Sequence, residues 1–167
     1  CICGGSAGLR RVNKASKDIH QHFRNLNKNG FQQVFEGFGA FDYPPGDTLI
    51  QEYVPEIKEN GEVSLFYFGD RFSHAVSKKP KQGDFRAHSI WGAEVTMYKP
   101  SKDEIDIGLS CLDVVGHPVQ FARIDYIPTY TGPMIVEVEL IDPAFFFDHV
   151  PETIKSFADH IENFLNR

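Results

Sequence analysis

The sequence predicts an α+β fold in which an antiparallel sheet is packed with helices. Three observations lead there: short strand-like runs follow one another through the middle of the chain, helix signals gather at separate places, and no regular β–α alternation is present. At 167 residues, 41% hydrophobic and with 15 Phe, the chain is globular and long enough to bury a core. The net charge of -6 argues against nonspecific nucleic-acid binding. No apolar stretch approaches a membrane span and no signal-peptide pattern opens the chain, so the expectation is a cytoplasmic protein without membrane or nucleic-acid partners. Cys1, Cys3 and Cys111 leave an odd thiol without zinc spacing, which fits a reducing compartment.

The elements follow in order. Gly4 to Gly8 is a glycine-rich loop of backbone donors, able to close over phosphates and equally able to serve as a plain linker. Ile19, Phe23 and Leu26 share one face of a helix expected over 15–28, stopped by Asn29 and Gly30. Pro44 to Asp47 turns the chain into a strand over 48–54, and Asn60-Gly61 reads as a hairpin turn. Strands are expected over 62–68 and 72–78 across a Gly69-Asp70 turn, with a looser strand region over 86–98. Ser101 and Glu104 form a capping box for a helix to about Val114. Two more strands, 119–126 and 134–141, precede a helix opened by Pro151, whose Ile154, Phe157, Ala158, Ile161 and Leu165 form a core-packing face.

The last two strands carry the chemistry. Asp125 ends one run, and twelve residues later Glu137 and Glu139 alternate on the next. Alternate side chains of a strand share a face, so these carboxylates can offer one hard cation an all-oxygen site, which suits magnesium. The same alternation also describes a strand with a solvated face. His74, His88 and His117 lack metal-ligand spacing. No Ser-His-Asp or Cys-His arrangement suggests a nucleophile.

Taken together, Gly5-Ser6-Ala7-Gly8, Gln51 to Val54, the run SHAVSKKPKQGDFR from Ser73 to Arg86, ARID ending at Asp125 and EVELIDP from Glu137 resemble the ATP-grasp superfamily. The nearest branches are the glutathione-synthetase-like and ribosomal glutamate-ligase-like carboxylate-amine ligases. The Phe145 to Phe147 run resembles a branch that includes the ligase of cycloserine biosynthesis.

The resemblance implies that Gly5, Ser6 and Gly8 belong to a flap over the triphosphate, and that Gln51, Glu52, Tyr53 and Val54 are a hinge for adenine. Glu59 and Glu62 are both candidates for the ribose, Glu62 being favoured by its Gly-Glu-x-Ser setting. It further implies that Lys78 and Arg86 face phosphate or an acyl phosphate, with His88 where Asn is common. Asp125, Glu137 and Glu139 would hold two magnesium ions, with manganese as a substitute. Arg123 is a further phosphate or substrate contact, or an ion-pair partner of the acids.

The implied activity is an ATP-dependent carboxylate-amine or carboxylate-thiol ligase working through an acyl phosphate, on small carboxylates and amines or amino acids. Residues 1–54 would be the remainder of a small lobe and 55–167 the larger ATP- and magnesium-binding lobe. The family's upstream lobe and its ATP-contacting Lys have no counterpart here, so the chain is expected to be part of an ATP-grasp domain. The alternative is a nucleotide-binding or interaction module without turnover, and a homo-oligomer is compatible with either.

Overall fold

The computed structural model describes residues 9, 11, 19–35, 39–46 and 50–166. The chain divides into two compact units, Cys1–Val54 and Pro55–Arg167. In the first, helix α1 (Ile19–Asn29) ends where the Gly30 amide donates to the Leu26 carbonyl at 3.3 Å. Strands β1 (Phe31–Phe35) and β2 (Gly39–Tyr43) then pair antiparallel, with the Phe31 and Tyr43 rings stacked at 4.6 Å. This hairpin was not expected from the sequence. The strand expected over 48–54 is not formed at the described positions 50–54: the segment runs without ladder partners into Pro55, which has no N–H to give.

In the second unit, the expected Asn60-Gly61 hairpin is instead the end of a short helix, α2 (Ile57–Asn60). The Pro55 and Glu56 carbonyls capture the amides of Lys58 and Asn60, so local helical bonds consume the residues that a hairpin would have used. Gly61 caps this turn at φ +73°, and a Cβ there would lie 2.8 Å from the Lys78 carbonyl oxygen. Only glycine combines that conformation with so close a passage.

A five-stranded antiparallel sheet follows, in the order β5-β4-β3-β6-β7. Its strands are β3 (Glu62–Phe68), β4 (Arg71–Lys79), β5 (Glu94–Met97), β6 (Phe121–Thr129) and β7 (Gly132–Glu139). The looser strand region of 86–98 reduces to β5, because the Asp84 carboxylate binds the amides of Phe85 and Arg86 and His88 caps a 3-10 turn over Ser89–Trp91. These local bonds take amides that a ladder would need.

One sheet face is the apolar core. Val63, Leu65, Tyr67, Ala75, Ala122, Ile124 and Tyr126 pack there against Ile105, Leu109 and Leu112 of helix α3 (Lys102–Val115). The expected capping box is present: Ser101 Oγ accepts from the Glu104 amide, while Glu104 accepts from the Ser101 amide. Glu104 also accepts the hydroxyls of Tyr98 and Tyr126, and Tyr67 donates to the Ile105 carbonyl at 2.8 Å. A Cβ on Gly108 would stand 2.1 Å from the Tyr67 hydroxyl oxygen, so the absent side chain sets how closely helix and sheet approach.

The opposite face is aromatic at one end and charged at the other. Phe66, Phe68, His74 and Phe121 meet Phe145, Phe147 and Phe157, with His74 stacked on Phe66 at 4.4 Å. Phe157 comes from helix α4 (Thr153–Leu165), which begins after a turn containing Pro151. The core-packing face expected for α4 is narrower than the periodicity suggested: Phe157 and Ile161 are half-buried, but Ala158, Ile154 and Leu165 are exposed. Among the described residues no helix is long and apolar enough to cross a membrane.

Candidate active site

Two irregularities in the sheet decide which side chains reach the charged end. Along β6 and β7 the register runs Asp125↔Glu137 and then Tyr126↔Ile135, which leaves Val136 as the extra residue of a bulge. Strand parity alone would put Ile135 and Glu137 on one face. The bulge separates them, sending Ile135 to the core beside Tyr126 and Glu137 to the other face beside Asp125. An equivalent shift at Ser73, between Phe66↔His74 and Tyr67↔Phe72, lets Phe72 join the core while His74 faces the aromatic cluster.

The charged end is a chain of ion pairs. Glu62 and Lys78 are register partners on β3 and β4, and the Lys78 ammonium donates to Glu62 and, at 3.1 Å, to Asp125 Oδ2. Arg123 Nε donates to Asp125 at 3.0 Å, while its Nη2 reaches Glu137 at 3.1 Å and Glu139 at 2.5 Å. Lys78 and Asp125 are buried; Glu137, 56% exposed, is the open end.

Burial alone would lower the Lys78 ammonium, but the Asp125 and Glu62 carboxylates carry it above its usual value. Burial would raise Asp125, and Lys78 and Arg123 outweigh it, so the carboxyl stays ionised. Glu62 and Glu139 go the other way: burial pushes both up, against the pull of Lys78 and Arg123 respectively. The site therefore holds two firmly charged cations, one firmly charged carboxylate and further carboxylates whose charge is held at a cost.

The structure brings Glu62, Lys78, Arg123, Asp125, Glu137 and Glu139 together. Arg123 is an ion-pair partner of Asp125, Glu137 and Glu139 at once. Among the described residues no three carboxylate, imidazole or thiol groups converge into a cage, because the acids are arranged around the guanidinium. Arg86 makes a separate arrangement: Nε and Nη2 clasp Asp84 at 2.9 and 2.5 Å, and its guanidinium lies 3.5 Å from the Trp91 ring centroid. That clasp holds the Asp84 carboxyl well below the usual range. In the first unit Gln51 and Glu52 are exposed, and Tyr53 carries the Arg11 guanidinium over its ring at 3.7 Å. Val54 is half-buried. Gly5, Ser6 and Gly8 lie outside the described residues.

A comparison with protein families matches residues 25–142 to the RimK-like ATP-grasp domain. The chain belongs to that family. Lys78, Arg86, Arg123, Asp125, Glu137 and Glu139 all lie in the matched stretch, as do Gln51 to Val54 and Glu62. Curated relatives include a probable alpha-L-glutamate ligase 2 of Shewanella frigidimarina, 27% identical over 130 residues that make up 78% of this chain and 37% of the relative. A probable alpha-L-glutamate ligase of Legionella pneumophila is 28% identical over 107 residues, 64% of this chain and 34% of the relative. The chain thus spans about a third of the length of these relatives. Among solved structures, D-cycloserine synthetase DcsG shares the fold, with a TM-score of 0.59 at 24% identity over 69% of this chain and 41% of that one. The expected ATP-grasp fold and family are borne out.

Within this ATP-grasp domain, several contributors were not singled out beforehand. Ser64 is the register partner of Asp125, and Asp84 and Trp91 immobilise Arg86. Strand parity places Ser64 on the face of Glu62, and the Asp84-x-Arg86 spacing suits a local clasp, so both signals were present in the sequence.

Proposed function

We propose that this chain supplies the ATP- and magnesium-binding part of an ATP-dependent ligase that joins a small carboxylate to an amine, amino acids included, or to a thiol, through an acyl phosphate. The observation that carries the reading is the chain of charges from Lys78 through Asp125 to Arg123, ending at Glu137 and Glu139 within the family's matched stretch. Phosphoryl transfer asks a protein mainly for positioning and for charge set against the phosphoryl oxygens. Both signs of charge are needed side by side, and both are here.

Asp125, Glu137 and Glu139 are hard oxygen donors of the kind magnesium takes, and manganese accepts the same set. They would hold one ion or two. Bound there, the metal would neutralise phosphate oxygens and act as a Lewis acid. Arg123 has five N–H donors, now shared among three acids. Once Glu137 and Glu139 are compensated otherwise, its Nη2 becomes free to meet a phosphoryl or substrate oxygen.

Lys78 is held in place from both sides, and breaking a buried pair of this type costs about 3–5 kcal/mol. Glu62 is therefore assigned to holding Lys78 rather than to the ribose. Gly5, Ser6 and Gly8 as flap, Gln51 to Val54 as hinge and Arg86 as an anion contact complete the reading. A cytoplasmic location agrees with the need for ATP.

The test uses the full-length protein with a carboxylate labelled with oxygen-18. An acyl phosphate delivers one labelled oxygen to the released phosphate, detectable by mass spectrometry; ADP forms with the carboxylate and accumulates over repeated turnovers once the amine or thiol is also present. Label appearing in AMP, or no label transfer with any carboxylate that supports turnover, would refute the acyl-phosphate reading.

A further inference from the structure

The three carboxylates that would take a metal already share a cation of the protein's own. Arg123 and Asp125 lie two apart on β6, and their register partners on β7 are Glu139 and Glu137. The guanidinium links all of them. Nε donates to both oxygens of Asp125, at 3.0 and 3.1 Å, and the single nitrogen Nη2 serves Glu137 Oε2 at 3.1 Å and Glu139 Oε2 at 2.5 Å. Both contacts to β7 therefore stand or fall with one atom. Lys78 is engaged elsewhere, its ammonium held by Glu62 and Asp125 Oδ2. The Arg123 side chain is 11% exposed and that of Glu137 56%, so the acid is open to an incoming ion while its resident partner is not.

Magnesium holds carboxylate oxygens at about 2.1 Å and demands near-octahedral geometry. On Glu137 Oε2 and Glu139 Oε2 it would stand within a few ångström of the guanidinium, where two positive charges repel most strongly. Resting on the ligase reading above, we propose that Arg123 is a built-in competitor for the metal: Nη2 occupies Glu137 and Glu139 in the free protein and has to leave them before a divalent cation loads. A ligand whose binding-competent state is only a small fraction of the population binds more weakly by that fraction. The consequence is a low affinity for the free ion. A nucleotide that brings its own metal offers phosphate oxygens to the displaced guanidinium in the same event, so the ion is admitted with the nucleotide rather than ahead of it.

Calorimetry of magnesium alone and of manganese alone tests this on the full-length protein, in the wild type, Arg123→Gln, Arg123→Lys and Lys79→Gln. Affinity for both ions should rise at least about tenfold in Arg123→Gln, within the usual range for a coupling between competing states. A smaller rise is expected in Arg123→Lys, which keeps the charge but lacks Nη2. Lys79→Gln removes an exposed charge of the same sign and should change affinity less than about threefold, because solvent and salt screen it. Nitrogen-15 NMR of the wild-type arginine side chains gives a second reading that needs no variant: magnesium should move the Arg123 Nη signals toward those of an unpaired guanidinium. Metal affinity that is unchanged or lower in Arg123→Gln, or Arg123 Nη signals that keep their ion-paired positions at saturating magnesium, overturns the proposal. A gain in Lys79→Gln as large as in Arg123→Gln also overturns it, since net charge alone would then explain the effect. A non-hydrolysable ATP analogue titrated with magnesium into the wild type reports on the ligase reading separately. No binding there, beside tighter metal binding in Arg123→Gln, would remove that reading and leave the competition standing.

Discussion

The two faces of the five-stranded sheet use the same strands for opposite ends. On the α3 face, Val63, Leu65, Tyr67, Ala122, Ile124 and Tyr126 are closed off from water, and the tyrosine hydroxyls there have fixed partners: Tyr67 on the Ile105 carbonyl, Tyr98 and Tyr126 on Glu104. On the other face, Asp125 and Lys78 are buried just as deeply, yet their charges lead outward through Arg123 to the half-open Glu139 and the exposed Glu137. The first face is satisfied within itself. The second ends in groups that a cation or an anion can still recruit, and that difference separates scaffold from site.

Breaking each face should show the contrast. The largest effect is expected for Lys78→Met, which strands Asp125 and Glu62 and should destabilise the fold by about 3–5 kcal/mol in urea melts, the cost of an uncompensated buried charge. Gly108→Ala comes next: its Cβ meets the Tyr67 hydroxyl, so α3 must lift or Tyr67 must move, at about 1–3 kcal/mol. This second variant should leave ligand binding at the charged face nearly intact in proportion to the folded fraction.

A third prediction concerns pH. Burial holds His74 below the ordinary 6.5, against the opposing bond to the Phe145 carbonyl, so the folded protein keeps this ring neutral and unfolding takes up a proton. Its contribution to stability is fully present above pH 6.5 and is lost as pH falls below it. Urea midpoints measured from pH 7.5 to 5 should drop less steeply in His74→Phe than in the wild type. The smallest effect on stability is expected from Glu137→Gln, within about 1 kcal/mol, because a pair so exposed contributes little.

Much of the second unit was legible in the sequence. The strand over 62–68 was expected at its observed bounds, the capping box set the start of α3, and the order of the last two strands followed from their alternating runs. What failed did so where local bonds competed with pairing. Asn60-Gly61 has the composition of a hairpin turn, yet Gly61 serves as a helix cap because the carbonyls of Glu56 and Ile57 reach the following amides first. In the first unit, β1 and β2 were not expected from the sequence. For the site, Asp125, Glu137 and Glu139 were visible from spacing alone, but the Val136 bulge that turns Glu137 toward Asp125 has no signature in composition. Lys78 was visible as a charge, and its burial between two acids became apparent only once β3 and β4 were paired.

Glu137→Gln gives the most direct measurement, since it removes one charge at the open end with little effect on the fold. Binding of a non-hydrolysable ATP analogue should be followed by calorimetry with and without magnesium, in the wild type, in Glu137→Gln and in Asp125→Asn. Magnesium-dependent binding that weakens at least about tenfold in Glu137→Gln while its urea midpoint stays close to wild type would establish the charged face as the metal and nucleotide site, a tenfold change being about 1.4 kcal/mol. Binding that is equally strong in Glu137→Gln, or that does not depend on magnesium in the wild type, would contradict it and leave the charges as an internal ion-pair network.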